Sequence, residues 1–324
     1  MRQRAFITGI TGQDGAYLAK LLLDKGYEVF GFVARRVNQS FANLDYLNVT
    51  DKVSFIFGDL TDQSSIIHAL TVSKPHEVYN LAAMSFVGLS WREPILTTQI
   101  NSMGPLYLLE AAKQICPNAK IYQASTSEMF GNNTEENYTQ NEETQMKPRS
   151  PYGFSKLFAY NAMINYRESF SMFCCNGILF NHESPIRGPE FVTRKVTKGV
   201  AEIKTRKKDY LELGNLDVSR DWGFAGDYVD AMWRMLQETD PDDFVISTGK
   251  SHTIKDLLDI AFSEIGIGDW SSFVKQNPEF MRPAELFHLK GDSSKAEKQL
   301  GWEPKISFQE LIVKMVREDL RRLK

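Results

Sequence analysis

Tyr152 and Lys156 stand four residues apart in "YGFSK", directly after Ser150-Pro151, a pair that announces a helix start. Residues i and i+4 share a helix face, so this spacing lets an ammonium support a phenolate. A tyrosine whose free pKa is about 10 then becomes a base usable near neutrality. Upstream, "ASTSEMFG" crowds Ser125, Thr126, Ser127 and Glu128 into successive positions. A hydroxyl and a carboxylate side by side can polarise a substrate and move a proton, although a helix cap followed by a dipole-facing glutamate has the same pattern.

Groups so far apart in the chain need a scaffold that gathers them at one edge. Short apolar runs, "AFIT", "YEVFGFV", "VSFIFGD", "EVYNLAA", "AKIYQAST" and "FCCNGILF", alternate with longer periodic segments. That rhythm predicts parallel strands buried on both faces and wrapped by helices. In "DGAYLAKLLLDKG", Leu18, Leu21 and Leu22 recur at helical spacing. The run "AKIYQAST" then places Thr126 and Glu128 at the C-terminal edge of the sheet, where open parallel sheets bind ligands. After Phe180 the rhythm changes to loop, amphipathic helix and short strand, "RDWGFAGDYVDAMWRMLQ" resumes a sheet-packing helix, and two further helices follow Ser251. The expected fold class is α/β, a Rossmann-type doubly wound parallel sheet with a smaller α/β substrate-binding domain. The expected division is 1–180 plus 217–249 for the dinucleotide and 181–216 plus 250–324 for the substrate.

Gly9, Gly12 and Gly15 form GxxGxxG between the first strand and the first helix, the context of a dinucleotide phosphate loop. One glycine makes the turn, one admits the pyrophosphate, and one lets helix and strand pack closely. The helix N-terminus offers free N–H groups and partial positive charge. An NAD site usually has a carboxylate at the end of the second strand, but here that end reads Phe32-Val33-Ala34-Arg35-Arg36. Two guanidiniums suit a 2'-phosphate, so the expected cofactor is NADP. Asp59 and Leu60, after the third strand, fall where the adenine would rest.

Composition narrows the partners. With 38 basic and 41 acidic residues the net charge is -3, which lacks the excess that phosphate-rich nucleic acids require. No apolar run reaches the roughly 18 residues of a spanning helix, and the chain reads as cytosolic with no membrane partner. Cys116, Cys174 and Cys175 show no CxxC spacing, and His68, His76, His182, His252 and His288 form no HxxxH pair. No metal site is expected.

Taken together, Gly9/Gly12/Gly15, "LAA" at 81–83, "STSE" at 125–128, Tyr152/Lys156, "NHESP" at 181–185, "FVTRK" at 191–195, "RDWG" at 220–223 and "RPAE" at 282–285 resemble the extended short-chain dehydrogenase/reductases. Within them the chain resembles the GDP-mannose 4,6-dehydratase family over essentially its whole length. The resemblance implies a redox-neutral lyase in which NADP takes a hydride from the sugar C4 and returns it to C6 after water is lost. By matching motif positions, Tyr152 is the base for the 4-hydroxyl, Lys156 its electrostatic support, Thr126 a hydroxyl that holds the sugar, and Glu128 the acid/base at C5 and C6. The implied cofactor set is Gly9, Thr11, Gly12, Gln13, Asp14, Gly15, Arg35, Arg36, Asp59, Leu60, Leu81 and Ala82, with Tyr152 and Lys156. The implied GDP-sugar set is Ser85, Asn181, Val192, Lys195, Gly214, Arg220, Arg282 and Glu285, with Thr126 and Glu128. Arg194 is a further cation in "FVTRK", and an ion pair of Arg220 with Asp221 is the plainer alternative for that arginine.

Two departures bear on the substrate. Met84 stands where many relatives carry glutamine, and Phe154-Ser155 replaces smaller residues. A methionine facing the sugar leaves a GDP-manno-heptose open as substrate. A reductase or epimerase on the same scaffold, and a non-catalytic dinucleotide sensor, are the remaining alternatives. The segment "RRVNQSFANLDYLN" has the position of the family's oligomer-forming loop, which points to a homo-oligomer, a tetramer or a dimer.

Overall fold

The computed structural model describes residues 2–35, 40–132, 138–280 and 284–324. Arg36 and Arg282, both expected at the site, lie outside them. The first half runs β1 (Arg4–Thr8), α1 (Gln13–Asp24), β2 (Glu28–Val33), α2 (Ala42–Tyr46), β3 (Val53–Phe57), α3 (Gln63–Ser73), β4 (Glu77–Asn80), α4 (Val87–Ser90), α5 (Pro94–Thr98), α6 (Gly104–Ile115), β5 (Lys120–Thr126) and α7 (Pro151–Phe170). Then come β6 (Cys174–Leu179), β7 (Asn181–Glu183), α8 (Val192–Lys204), β8 (Leu211–Leu213), β9 (Ser219–Phe224), α9 (Ala225–Met235), β10 (Phe244–Ile246), β11 (Ser251–Thr253), α10 (Ile254–Glu264), β12 (Val274–Gln276), α11 (Ser294–Leu300) and α12 (Phe308–Leu323).

The six strands read from sequence form one parallel sheet, extended by β10 to the order β10-β6-β5-β4-β1-β2-β3. Alternation along β1 explains why both faces are apolar. Ala5 and Ile7 pack with Leu18 and Leu22 of α1 and Met232 of α9, while Phe6 packs with Leu108 and Leu109 of α6 and Met163 of α7. The strand order reverses between β1 and β4, and that switch point opens a crevice at the C-terminal ends of the strands.

A separate cluster joins Val196 and Val200 of α8, Leu257 and Phe262 of α10, and Leu311 and Met315 of α12 with Leu211 and Trp222. Each of these helices is amphipathic and turns one apolar stripe inward. Ser307 and Glu310 cap α12 reciprocally, and Thr253 with Asp256 does the same for α10.

Several local readings need correction. "NHE" is the strand β7 rather than loop, and "RDWGF" is the strand β9, which pairs with β7 and β11 before α9 begins. Phe244–Ile246 adds a strand at the sheet edge, and among the described residues three α-helices rather than two follow Ser251. The three-residue strands offer too few positions for alternation to register. In β9 Arg220 and Asp221 are buried with polar partners, which hides the apolar period. Burial pushes the Cys174 and Cys175 thiols up to about 12 and Cys116 to about 11. Among the described residues no helix is long and apolar enough to cross a membrane, and no group of three or more His, Cys, Asp or Glu could hold a metal ion.

Candidate active site

A cavity of about 1130 Å³ runs along the C-terminal ends of the strands, from the glycine turn to the segment around Gly214 and Arg220. Single small-molecule sites occupy about 300–1,000 Å³, so this volume suits two ligands end to end.

Its centre is built by β5 and α7. Ser150 Oγ accepts from Gly153 N at 3.0 Å and Pro151 fills the first helical turn, so α7 starts where Tyr152 and Lys156 project into the cavity. Lys156 Nζ lies 6.0 Å from the Tyr152 ring centroid and donates to Ala124 O at 2.9 Å. The Thr126 hydroxyl bonds the Tyr152 side chain and accepts from Glu128 N at 3.3 Å. Thr126 therefore caps the short helical turn that carries Glu128, and the cap reading and the catalytic reading of this segment hold together. Burial pushes the Tyr152 phenol up to about 12, with Thr126 pulling against it, and pushes Lys156 down to about 8. The ammonium support expected from the spacing is thus outweighed by desolvation, which favours the neutral form of both groups.

The glycine turn forms one end. Gly9 has φ +71°, and a Cβ there would come within 2.7 Å of Ala82 N. A Cβ on Gly15 would meet Gly9 O at 2.4 Å, so helix and strand touch backbone to backbone. Gly12 caps α1 without a side-chain partner, and the first turn of α1 faces the cavity. Its exposed N–H groups and dipole suit a diphosphate. Thr11, Gln13, Asp14, Asp59, Leu60, Leu81 and Ala82 line this end. Arg35 is exposed and does not line the cavity; Phe32, Val33 and Ala34 do.

His182 ties this turn to β7. Its Nε2 meets Asp14 Oδ2 at 2.7 Å and its Nδ1 meets Phe180 O at 2.8 Å, so both ring nitrogens face acceptors, an arrangement that favours the charged, doubly protonated ring. Burial opposes that charge, but Asp14 outweighs it and the pKa is raised.

The far end holds the expected substrate residues Ser85, Asn181, Val192, Lys195, Gly214, Arg220 and Glu285. Arg220 Nη2 pairs with Glu285 Oε1 at 3.2 Å rather than with Asp221. Asp221 instead accepts from Thr248 N, Thr248 Oγ1 and Gly249 N. Lys195 Nζ sits 3.6 Å over the Phe280 ring, whereas Arg194 turns away and pairs with Asp319 at 2.5 Å. Met84 lines the wall, but Asn101 grips its main chain from both sides and Thr97 Oγ1 meets its sulfur at 3.9 Å. Sequence reasoning left out Phe86, Arg187 and Phe191, which also line the cavity. The Phe86 and Phe191 rings meet edge to face at 5.8 Å, and Arg187 stacks 3.5 Å over Phe191. Phe191 opens the "FVTRK" motif and Arg187 follows "NHESP" by two residues, so their ring and charge were a usable signal.

A family model described as "GDP-mannose 4,6 dehydratase" matches residues 6–315. The chain is 47% identical to GDP-mannose 4,6 dehydratase 1 of Arabidopsis thaliana, covering 100% of this chain and 91% of that protein. It is 44% identical to the GDP-mannose 4,6-dehydratase of Vibrio cholerae, over 99% of this chain and 95% of that one. In fold it is similar to the dTDP-glucose 4,6-dehydratase of Streptomyces venezuelae solved with NAD, with a TM-score of 0.86, 23% identity, and coverage of 98% and 96%.

Proposed function

Because the chain belongs to the GDP-mannose 4,6-dehydratase family, we propose that it converts GDP-D-mannose to GDP-4-keto-6-deoxy-D-mannose with NADP as its cofactor. The observation that carries the reading is the joining of Thr126 and Glu128 with Tyr152 and Lys156 on one wall of a cavity large enough for two ligands. The glycine turn and the open N-terminus of α1 fit a dinucleotide diphosphate. Gly9, Thr11, Gly12, Gln13, Asp14 and Gly15 would hold it there, with Leu81 and Ala82 beside them. When bound, the nicotinamide supplies a hydride acceptor for C4 and a donor for C6.

The chain's own groups handle the protons. Tyr152, as its phenolate, takes the proton of the 4-hydroxyl, and the Thr126 hydroxyl steadies that phenolate before the transfer. Lys156 lowers the cost of that charge from the same helix face. The resulting 4-keto group acidifies C5, where Glu128 removes the proton and then protonates the departing C6 hydroxyl as water. Lys195 and Arg220 supply cationic partners for the nucleotide diphosphate, and Glu285 orients Arg220.

Support for NADP is the missing carboxylate at the end of β2, where Phe32, Val33 and Ala34 line the cavity and Arg35 follows. Competitive titration of NADPH and NADH checks it: equal or tighter NADH binding refutes the preference. The large-sheet clusters and the cluster of α8, α10 and α12 support separate cofactor and substrate units. Ile95, Leu96, Phe154 and Phe158 leave an exposed apolar face on α5 and α7 that supports a homo-oligomer, which light scattering measures. The cytoplasm is the compartment this reading assigns.

The deciding experiment is incubation with GDP-, UDP-, CDP- and dTDP-hexoses and GDP-manno-heptose, followed by mass measurement. Loss of water from GDP-mannose without consumption of added NADPH is expected. Stoichiometric NADPH oxidation would instead mark a reductase.

A further inference from the structure

Thr8, Asn80 and Gln123 occupy paired positions on β1, β4 and β5, and all three are buried. Their polar atoms form a chain whose direction is set by the main chain. Leu81 N and Ala82 N each donate to Thr8 Oγ1 at 3.1 Å. With both donors arriving at that oxygen, its own proton leaves toward Asn80 Oδ1, 2.6 Å away. Asn80 Nδ2 then faces Gln123 Oε1 at 2.7 Å, and Gln123 Nε2 is left to donate to Ala124 O at 2.9 Å. Neither amide can flip without setting like atoms face to face. Ala124 O is the same carbonyl that receives Lys156 Nζ at 2.9 Å.

We infer that Gln123 is a positioning residue for Lys156: anchored through Asn80 and Thr8 to the main chain beside the glycine turn, it holds the Ala124 carbonyl as the lysine's acceptor. The inference rests on the proposed reading in which Lys156 supports Tyr152. A lysine carries four rotatable side-chain bonds, so its ammonium needs a fixed acceptor to stay on the tyrosine's face. Sharing that oxygen with the Gln123 amide also moderates its pull. The partial positive charge of the amide N–H lies beside the ammonium and disfavours it, in the same direction as burial and opposite to Asp14.

The test replaces the amide with apolar groups of similar size, Gln123→Leu and Gln123→Met, each checked for folding by thermal melting. Protein labelled with [ε-13C]lysine is titrated by NMR, with the Lys156 resonance assigned from its absence in Lys156→Met. In parallel, kcat and KM for GDP-mannose are followed against pH. The Lys156 titration is expected to rise by about one pH unit, once the competing amide donor is gone from its acceptor. Turnover is expected to fall about tenfold while KM stays within about twofold, as for an interaction realised mainly in the transition state. An unmoved Lys156 titration in either folded variant overturns the inference, even if turnover falls. Loss of the fold in both variants overturns it as well, since Gln123 would then serve the fold. If Lys156→Met keeps full turnover, the catalytic reading of the lysine fails while the titration still decides whether Gln123 positions it.

Discussion

Replacing Thr126 with valine keeps the branched shape and removes only the hydroxyl. That hydroxyl meets two groups, the Tyr152 side chain and Glu128 N at 3.3 Å. A hydrogen bond to a group that becomes charged contributes about 1.5–3 kcal/mol, against about 1 kcal/mol for a neutral one. The bond to Tyr152 is strongest with the phenolate that takes the 4-hydroxyl proton, so its loss makes that basic form scarcer and lowers kcat about ten- to hundredfold near neutral pH. The lost cap over Glu128 costs about 1 kcal/mol of stability, no more than a few degrees in Tm. Because Thr126 pulls the Tyr152 pKa down against burial, the variant's pH–rate profile should also shift to more alkaline values. The assay follows the 4-keto product by its absorbance in alkali from pH 6 to 10. Thr126→Ser, which restores the hydroxyl, should recover most of the rate. A valine variant within about twofold of wild type, or serine and valine variants equally impaired, would refute the reasoning.

Glu128→Gln should abolish loss of water by more than about a hundredfold and leave C5 free of solvent deuterium, both read by mass spectrometry; retained deuterium exchange at C5 would assign that proton to another group. Arg194→Met should destabilise the fold by about 3–5 kcal/mol in urea, because it strands the buried Asp319, yet leave KM for GDP-mannose unchanged. Its neighbour Lys195→Met should do the reverse, raising KM with the urea midpoint nearly constant. Asp221 gives a pH signature. Burial raises its carboxyl from 3.8 to about 6, so the folded state binds the proton more tightly than the unfolded chain. Its contribution is therefore fully present below about pH 4 and lost as pH rises through about 6, a change of about 3 kcal/mol. The stability difference between wild type and Asp221→Asn should move toward the variant by that amount between pH 4 and 7, and a flat difference would contradict the shift.

The legible parts of this protein are those that local chemistry dictates. A positive φ at Gly9 and backbone contact at Gly15 admit no side chain, so the turn announces itself. Tyr152 and Lys156 share a face because the α-helix has a period of about 3.6 residues, and Ser150-Pro151 marks where that helix begins. Strands buried on both faces must be apolar throughout, which exposed β1 to β6. Short strands such as β7 and β10 stayed hidden because three residues cannot display a period.

Other features depend on what lies across a gap that the chain does not record locally. Arg194 and Lys195 are adjacent, about 100° apart on α8, and only the placement of α12 decides that the first meets Asp319 while the second faces the cavity. Arg220 stands beside Asp221 in sequence but pairs with Glu285, because successive residues of β9 point to opposite faces. Asn80 pairs with Thr8 at a separation of 72 residues and with Gln123 at 43, through the registers of β1, β4 and β5. The turn, the helix-borne pair and the apolar strands were legible because each follows from neighbours a few positions away. Which cations face the cavity and how Lys156 is held emerge only from the folded chain, since strand register and helix packing set those partners.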